Sequence, residues 1–254
     1  MIGIQKKWMG NIPVLDVCSV ENQQEVLPVI IYFHGFTSAK EHNLPLAFLL
    51  AEKGFRVLLP DSILHGEREG HEKSVSEKQI AFWDIVIQNV ADLNVIKEDL
   101  EKSGLLIENR IGIAGTSMGG ITTSAALTKY DWIKVAAVLM GSPKLSTYAE
   151  VLLKHYETSN EWNITEDKIQ QLFQQIDEID LSKHPEALEN RPLLFWHGNA
   201  DAVVPFEHAY SFFTEVQNTY DNKEHIHFLK EKGVGHKVTR FAILETVKWF
   251  DKYL

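Results

Sequence analysis

Ser117, Asp201 and His236 are residue types that together attack a carbonyl, and each follows a stretch of chain that reads as a strand. Ser117 sits in Gly115-Thr116-Ser117-Met118-Gly119, between the β-branched stretch 110–115 and a run of small residues. A strand that turns directly into a helix exposes such a serine at the carboxyl edge of a sheet. The flanking Gly115 and Gly119 are expected to prevent clashes there. A serine hydroxyl is a weak nucleophile unless a base takes its proton. Asp201 lies in "HGNADAVVP" after the apolar run 192–197, and His236 lies in "EKGVGHKV" after 225–230. The placement predicts Ser117 as nucleophile, His236 as base and Asp201 as the acid that orients the imidazole. Taken alone, the serine motif also fits a tight strand–helix turn with no chemistry.

Acyl transfer needs N–H donors aimed at the developing oxyanion. Met118, the residue after the nucleophile, supplies one. "FHGFTS" (33–38) closes an earlier apolar run, and Phe36, following His34 and Gly35, is the second predicted donor. His34 and Gly35 are read as supporting residues. Other candidates are placed less well. Asp131 precedes its strand, Asp177 and Asp180 fall in a helical insertion, and His208 reads as a helix surface residue. His225 and His227 share a strand face, but no well-placed acidic or cysteine ligand completes a metal site, so neither metal nor cofactor is expected.

Strands and helices must hold these residues at one sheet edge. Strands are predicted at 2–8 and 12–17, joined at Gly10-Asn11, then at 28–33, 55–60, 110–115, 135–141, 192–198 and 225–230. Helices are predicted at 41–53, at 76–104 with a Ser76/Gln79 capping box, after Ser117, and at 239–253. The alternation implies an α/β fold with a mostly parallel sheet of about eight strands and helices on both faces. About 50 residues separate the strands at 141 and 192, far beyond a usual connection. Ile169, Leu172, Phe173, Ile176 and Ile179 repeat there at helical spacing. Residues 142–190 therefore read as a helical cap within a single domain, 1–254. Leu145, Tyr148, Leu152, Leu153, Tyr156, Trp162 and Phe173 offer it apolar surface. Leu145, Tyr148, Val203 and Val204 are the expected pocket residues.

The formal charge of −10 argues against nucleic acid or an anionic membrane as the main partner. The N-terminus lacks the apolar core of a signal peptide, and no run is long enough to span a membrane. The single cysteine, Cys18, excludes an intrachain disulfide and suits a reducing cytoplasm. A monomer and a homodimer are both compatible with these features.

Nearly the whole chain resembles an α/β-hydrolase, similar to small bacterial serine esterases of the dienelactone-hydrolase and prolyl-oligopeptidase-like clan. The resemblance rests on "YFHGFTSAKE", "PDSILHGER", "GTSMGG", "HGNADAVVP" and "GVGH". The order Ser117, Asp201, His236 is the one this superfamily uses. The resemblance implies that Asp61, His65, Glu67 and Arg68 shape the pocket rim without a catalytic role. Dienelactone hydrolases proper carry a cysteine where this chain has Ser117, which departs from their substrate. Fewer than 30 residues precede the strand at 28–33, so no large N-terminal propeller is expected. The expected activity is hydrolysis of a small, mainly apolar carboxylic ester through an acyl-enzyme. An aminopeptidase or amidase would use the same triad with a charged subsite, for which Glu150, Glu157, Glu161 or Glu166 are available. A thioesterase or acyltransferase also fits, and a non-catalytic ligand receptor is the remote alternative.

Overall fold

The computed structural model describes residues 1–70, 74–157 and 165–254. The chain begins with a hairpin of β1 (Ile2–Met9) and β2 (Ile12–Ser19). Gly10 adopts φ +58° between them, a conformation two-residue hairpin turns favour. Then come β3 (Leu27–Phe33), β4 (Arg56–Pro60), β5 (Leu106–Thr116), β6 (Ile133–Leu139), β7 (Leu193–Gly198) and β8 (Ile226–Glu231). They form an eight-stranded sheet of order β1-β2-β4-β3-β5-β6-β7-β8. β3 to β8 pair in parallel, and β1 and β2 extend the sheet antiparallel. β3, β4, β6 and β7 are buried on both faces, which is why they read as nearly continuous apolar runs, whereas the edge strand β8 is mostly exposed or half-buried. Strand order reverses between β3 and β5, so the loops that follow these two strands diverge and leave a crevice at the carboxyl edge.

One face is covered by α1 (Leu44–Glu52) and α8 (Arg240–Tyr253), through Leu50, Ala51, Val247 and Phe250. The other is covered by α3 (Phe82–Lys102), α4 (Met118–Lys129) and α7 (Phe206–Val216). Phe82, Val86, Leu93, Ile96 and Leu100 form a buried apolar stripe on α3. The start of this region differs from the sequence expectation. Ser74 and Glu77, not Ser76 and Gln79, form the capping box, opening a short α2 (Val75–Ile80) that breaks at Ala81 before α3. Both pairs match the pattern. The ionised Glu77 is the stronger acceptor at a positive helix end, and its carboxylate takes the Ser74 amide at 2.8 Å.

Between β6 and β7 lie α5 (Leu145–Glu157) and α6 (Glu166–Asp177). On α6 Ile176 is buried, whereas Leu172 and Phe173 pack at the edge of a cluster containing Met118, Phe82, Trp83, Leu145 and Tyr148. The segment returns to β7 through buried Arg191. Its guanidinium donates to the carbonyls of Leu127 (2.6 Å), Tyr130 (2.8 Å), Ile133 (3.1 Å), Leu188 and Ala187, tying the end of α4 to the start of β7. Among the described residues, no helix is long and apolar enough to cross a membrane.

Candidate active site

Ser117 stands between β5 and α4 with φ +55° and ψ −113°, a left-handed conformation that a side chain adopts only under constraint. Two backbone bonds impose it. The Ser117 amide donates to Leu139 O at 2.9 Å, and the Ser117 carbonyl accepts from Ile121 N at 2.9 Å. Glycine makes the turn sterically possible. A Cβ on Gly115 would lie 2.3 Å from the Gly119 carbonyl carbon, and one on Gly119 would lie 2.1 Å from Phe33 O. Gly141, after β6, would meet Gly120 at 2.6 Å. Met118 is the first helical residue of α4, so its amide belongs to the donors that a helix start leaves unpaired.

His236 reaches the serine from the loop after β8. Ser117 Oγ lies 2.9 Å from His236 Nε2, and His236 Nδ1 lies 2.7 Å from Asp201 Oδ2. Asp201, after β7, has a fully buried side chain that accepts four hydrogen bonds. Its Oδ1 takes the amides of Val203 (2.8 Å) and Val204 (3.0 Å), and Oδ2 takes His236 and, at 3.2 Å, His197 Nε2. Burial works to raise its pKa. The bonds from His197, His236 and Val203 win, and hold the carboxyl well below the usual carboxylate range. An ionised Asp201 can only accept, so His236 carries its proton on Nδ1 and leaves Nε2 free to accept from Ser117.

The loop after β3 lies against the elbow. A Cβ on Gly35 would sit 3.7 Å from Ser117 Cβ, so this loop runs directly past the serine. His34 is fully buried, donates from Nδ1 to Gly35 O at 2.8 Å and accepts at Nε2 from Ser62 N at 3.1 Å. Phe36 packs its ring edgewise on His65 and Phe82. Beyond it, Thr37 has φ +59° and donates its amide to His65 Nε2 at 3.0 Å. Lys40 then anchors the loop. Its fully buried ammonium lies 2.5 Å from buried Asp61 and 2.7 Å from Glu67. Burial would lower the Lys40 pKa, but bonds to Asp61, Glu67 and Glu41 raise it well above the ordinary lysine value. Asp61, His65, Glu67 and Arg68 thus brace the loop after β3, with Arg68 donating to the Asp61 carbonyl at 3.1 Å.

Burial pulls the His34 pKa down to about 4 and also lowers that of His65. The unfolded chain binds a proton at His34 near the ordinary value of 6.5, and the folded chain does so only near 4. The stability associated with neutral His34 is therefore complete above about pH 6.5 and lost as pH falls toward 4, up to about 3 kcal/mol. Urea unfolding at pH 7 and pH 4.5 should show this loss. His34→Gln, which keeps an acceptor for Ser62 N, should show a smaller one. Equal losses in both proteins would remove His34 as the cause.

The sequence profile of the prolyl oligopeptidase family matches residues 87–254, about two thirds of the chain and all of Ser117, Asp201 and His236. The chain belongs to that family. YitV of Bacillus subtilis (strain 168) is 46% identical over 256 aligned positions, covering 100% of each chain. Esterase YjfP of Escherichia coli (strain K12) is 28% identical, again over 100% of both. In fold, the protein is similar to TT1662 from Thermus thermophilus, with a TM-score of 0.77, 19% identity and 100% coverage of each chain.

Within this prolyl oligopeptidase-family scaffold, the predicted pocket residues divide. Leu145, Tyr148 and Val204 are buried in the cluster that surrounds Met118, so they form the wall behind the elbow. Val203 is 55% exposed, and its carbonyl accepts from Tyr148 Oη at 3.4 Å. The side chains of Tyr156, Glu157, Glu161 and Trp162 lie outside those described. His208 is not a plain surface residue. It is half-buried on the first turn of α7, with Nδ1 3.1 Å from Ser142 Oγ and its ring edge-on to Tyr148. Its helix docks against the α5–α6 segment, a contact that helical periodicity alone does not reveal. His225 lies in a short 3₁₀ turn before β8 with Nδ1 3.1 Å from Asn190 O, while His227 is exposed on the strand.

Proposed function

We propose that the protein is a serine esterase that hydrolyses small, mainly apolar carboxylic esters through an acyl-enzyme, without metal or cofactor. The observation that carries this reading is the continuous line Asp201–His236–Ser117, at 2.7 and 2.9 Å, ending on a strained elbow at the sheet's carboxyl edge. The esterase name of YjfP, aligned over the full chain, supports the choice of leaving group.

In this mechanism Ser117 Oγ attacks the acyl carbon while its proton passes to His236 Nε2. Asp201 stabilises the imidazolium, and the Met118 and Phe36 amides hold the oxyanion, each donor contributing about 3 kcal/mol to the transition state. Collapse breaks the bond to the alcohol, which leaves with the proton from His236. Water then gives its proton to His236 and attacks the acyl-serine. A second tetrahedral intermediate releases the acid, and the proton returns to Ser117.

The apolar surface beside the elbow fits an apolar acyl or alcohol group. Phe36, Phe82, Trp83 and Tyr148 form a chain of edge-to-face rings there, with centroids 5.3 to 6.3 Å apart. We take α5 and α6 as the cap over this wall, and the buried lone Cys18 as fitting a cytoplasmic enzyme. The family's peptidase name supports the second reading, amide hydrolysis by the same triad. Parallel assays decide between them. A short-chain p-nitrophenyl ester should turn over far faster than aminoacyl p-nitroanilides, and the reverse order would establish the peptidase reading.

A further inference from the structure

We infer that His197 is a positioning residue for the Asp201 carboxylate, holding it for His236 from the opposite side of the same oxygen. His197 lies near the end of β7, directly after Leu194, Phe195 and Trp196, and is fully buried. An apolar side chain would suit that environment better. The imidazole is instead kept with only half of its hydrogen-bonding capacity used, since Nδ1 is buried with no partner among the described residues. A polar group retained at that cost calls for a specific use.

The other nitrogen shows the use. His197 Nε2 lies 3.2 Å from Asp201 Oδ2 and 3.1 Å from Val204 O. Both neighbours are acceptors, so Nε2 carries the proton and shares it between them. Its ring is also packed edge-on to Phe206 at 5.8 Å, which fixes the direction of that N–H. Asp201 Oδ1 is held by two backbone amides, and among the described residues the donors to Oδ2 are His236 and His197, both side chains. His236 must move between serine, leaving group and water during turnover. His197 is then the one donor on Oδ2 that stays in place, and it prevents the carboxylate from turning as the imidazole changes partners. The hydrogen bond also draws charge from Asp201 and so limits how strongly Asp201 favours the protonated His236. Beyond Asp201 and His236, the titratable group near His197 is His208 on α7.

The inference rests on the Ser117–His236–Asp201 reading, and Ser117→Ala separates the two, because activity surviving that change would overturn the triad itself. His197→Leu removes the donor and should lower kcat for a p-nitrophenyl ester by about 10- to 100-fold, with KM within about twofold. The acid limb of its rate profile should move to higher pH. His197→Gln keeps an N–H at the same reach and should restore most of kcat and the original limb. A folded Leu variant with parental kcat and profile would overturn the role. So would a Gln variant as impaired as Leu, which would make the ring's volume the cause. If the Leu variant does not fold, ¹⁵N spectra of the unmodified protein at pH 7.5 decide the matter. They should show His197 protonated at Nε2 and bare at Nδ1, and a protonated Nδ1 would overturn the inference.

Discussion

Ser117→Ala is expected to lower kcat for a short-chain ester by about 10⁴-fold or more while leaving Tm within about 2 °C of the parent. The activity loss follows if Ser117 is the nucleophile as proposed, since among the described residues its Oγ is paired with His236 Nε2, at 2.9 Å. The small thermal effect follows from the same geometry. The φ of +55° is set by backbone bonds to Leu139 and Ile121, and alanine bears the same Cβ strain as serine. Only a partly exposed hydroxyl is removed, so no cavity and no buried orphan is created. A fluorophosphonate probe should label the parent at Ser117 and leave the variant unlabelled. More than a few per cent residual turnover, or labelling of another serine, would remove Ser117 from the mechanism.

Asp201→Asn should cost kcat about 10⁴-fold and, unlike the serine change, also destabilise the fold. All four partners of this carboxylate are donors: two amides, His197 and His236. An asparagine amide group has one oxygen and one NH₂, so its NH₂ must face at least one of those donors in any orientation. If it faces Oδ2's partners, His236 turns its proton toward Ser117 and can no longer accept one. If it faces Oδ1's partners, the Val203 and Val204 amides lose their acceptor, at up to about 1–3 kcal/mol for the buried Val204 and less for the exposed Val203, which water reaches. Thermal unfolding and the rate should therefore fall together. An isosteric variant that kept both parental rate and Tm would show that charge on this residue is not needed.

The convergence of Ser117, Asp201 and His236 was legible in the sequence because each follows a segment that reads as a strand, and parallel strands deliver their loops to one edge. Phe36 and Met118 lie on the loop after β3 and at the start of α4, after β5, and reach the same edge for the same reason. What was not legible depends on side chains meeting across the chain. His197 sits inside "LLFWHG" and reads as the polar end of a core strand, with nothing to indicate that its Nε2 meets Asp201. Lys40 is fully buried against Asp61 and Glu67, which come from a loop 21 and 27 residues on, a pairing that the local sequence "SAKE" does not show. The capping register failed because two overlapping Ser-x-x-acceptor patterns compete over three residues, and charge rather than spacing decides between them. His208 was misplaced because helical periodicity marks the face toward the sheet and says nothing of the α5–α6 segment above it.

The glycines at the elbow bear on how the enzyme could be altered, in a laboratory or by descent. At Gly115, Gly119 and Gly141 an added methyl meets main-chain atoms, so no neighbouring side chain can shrink to make room. Gly120, where the contact with Leu139 O is 3.0 Å, has barely more tolerance. These positions are closed to stepwise change, and libraries that include them are expected to yield mostly inactive members. With the pocket as proposed, variation that retargets the enzyme is expected to enter through exposed Val203 and the outward side of α5 and α6, where side chains border solvent and can be exchanged without moving the backbone beneath.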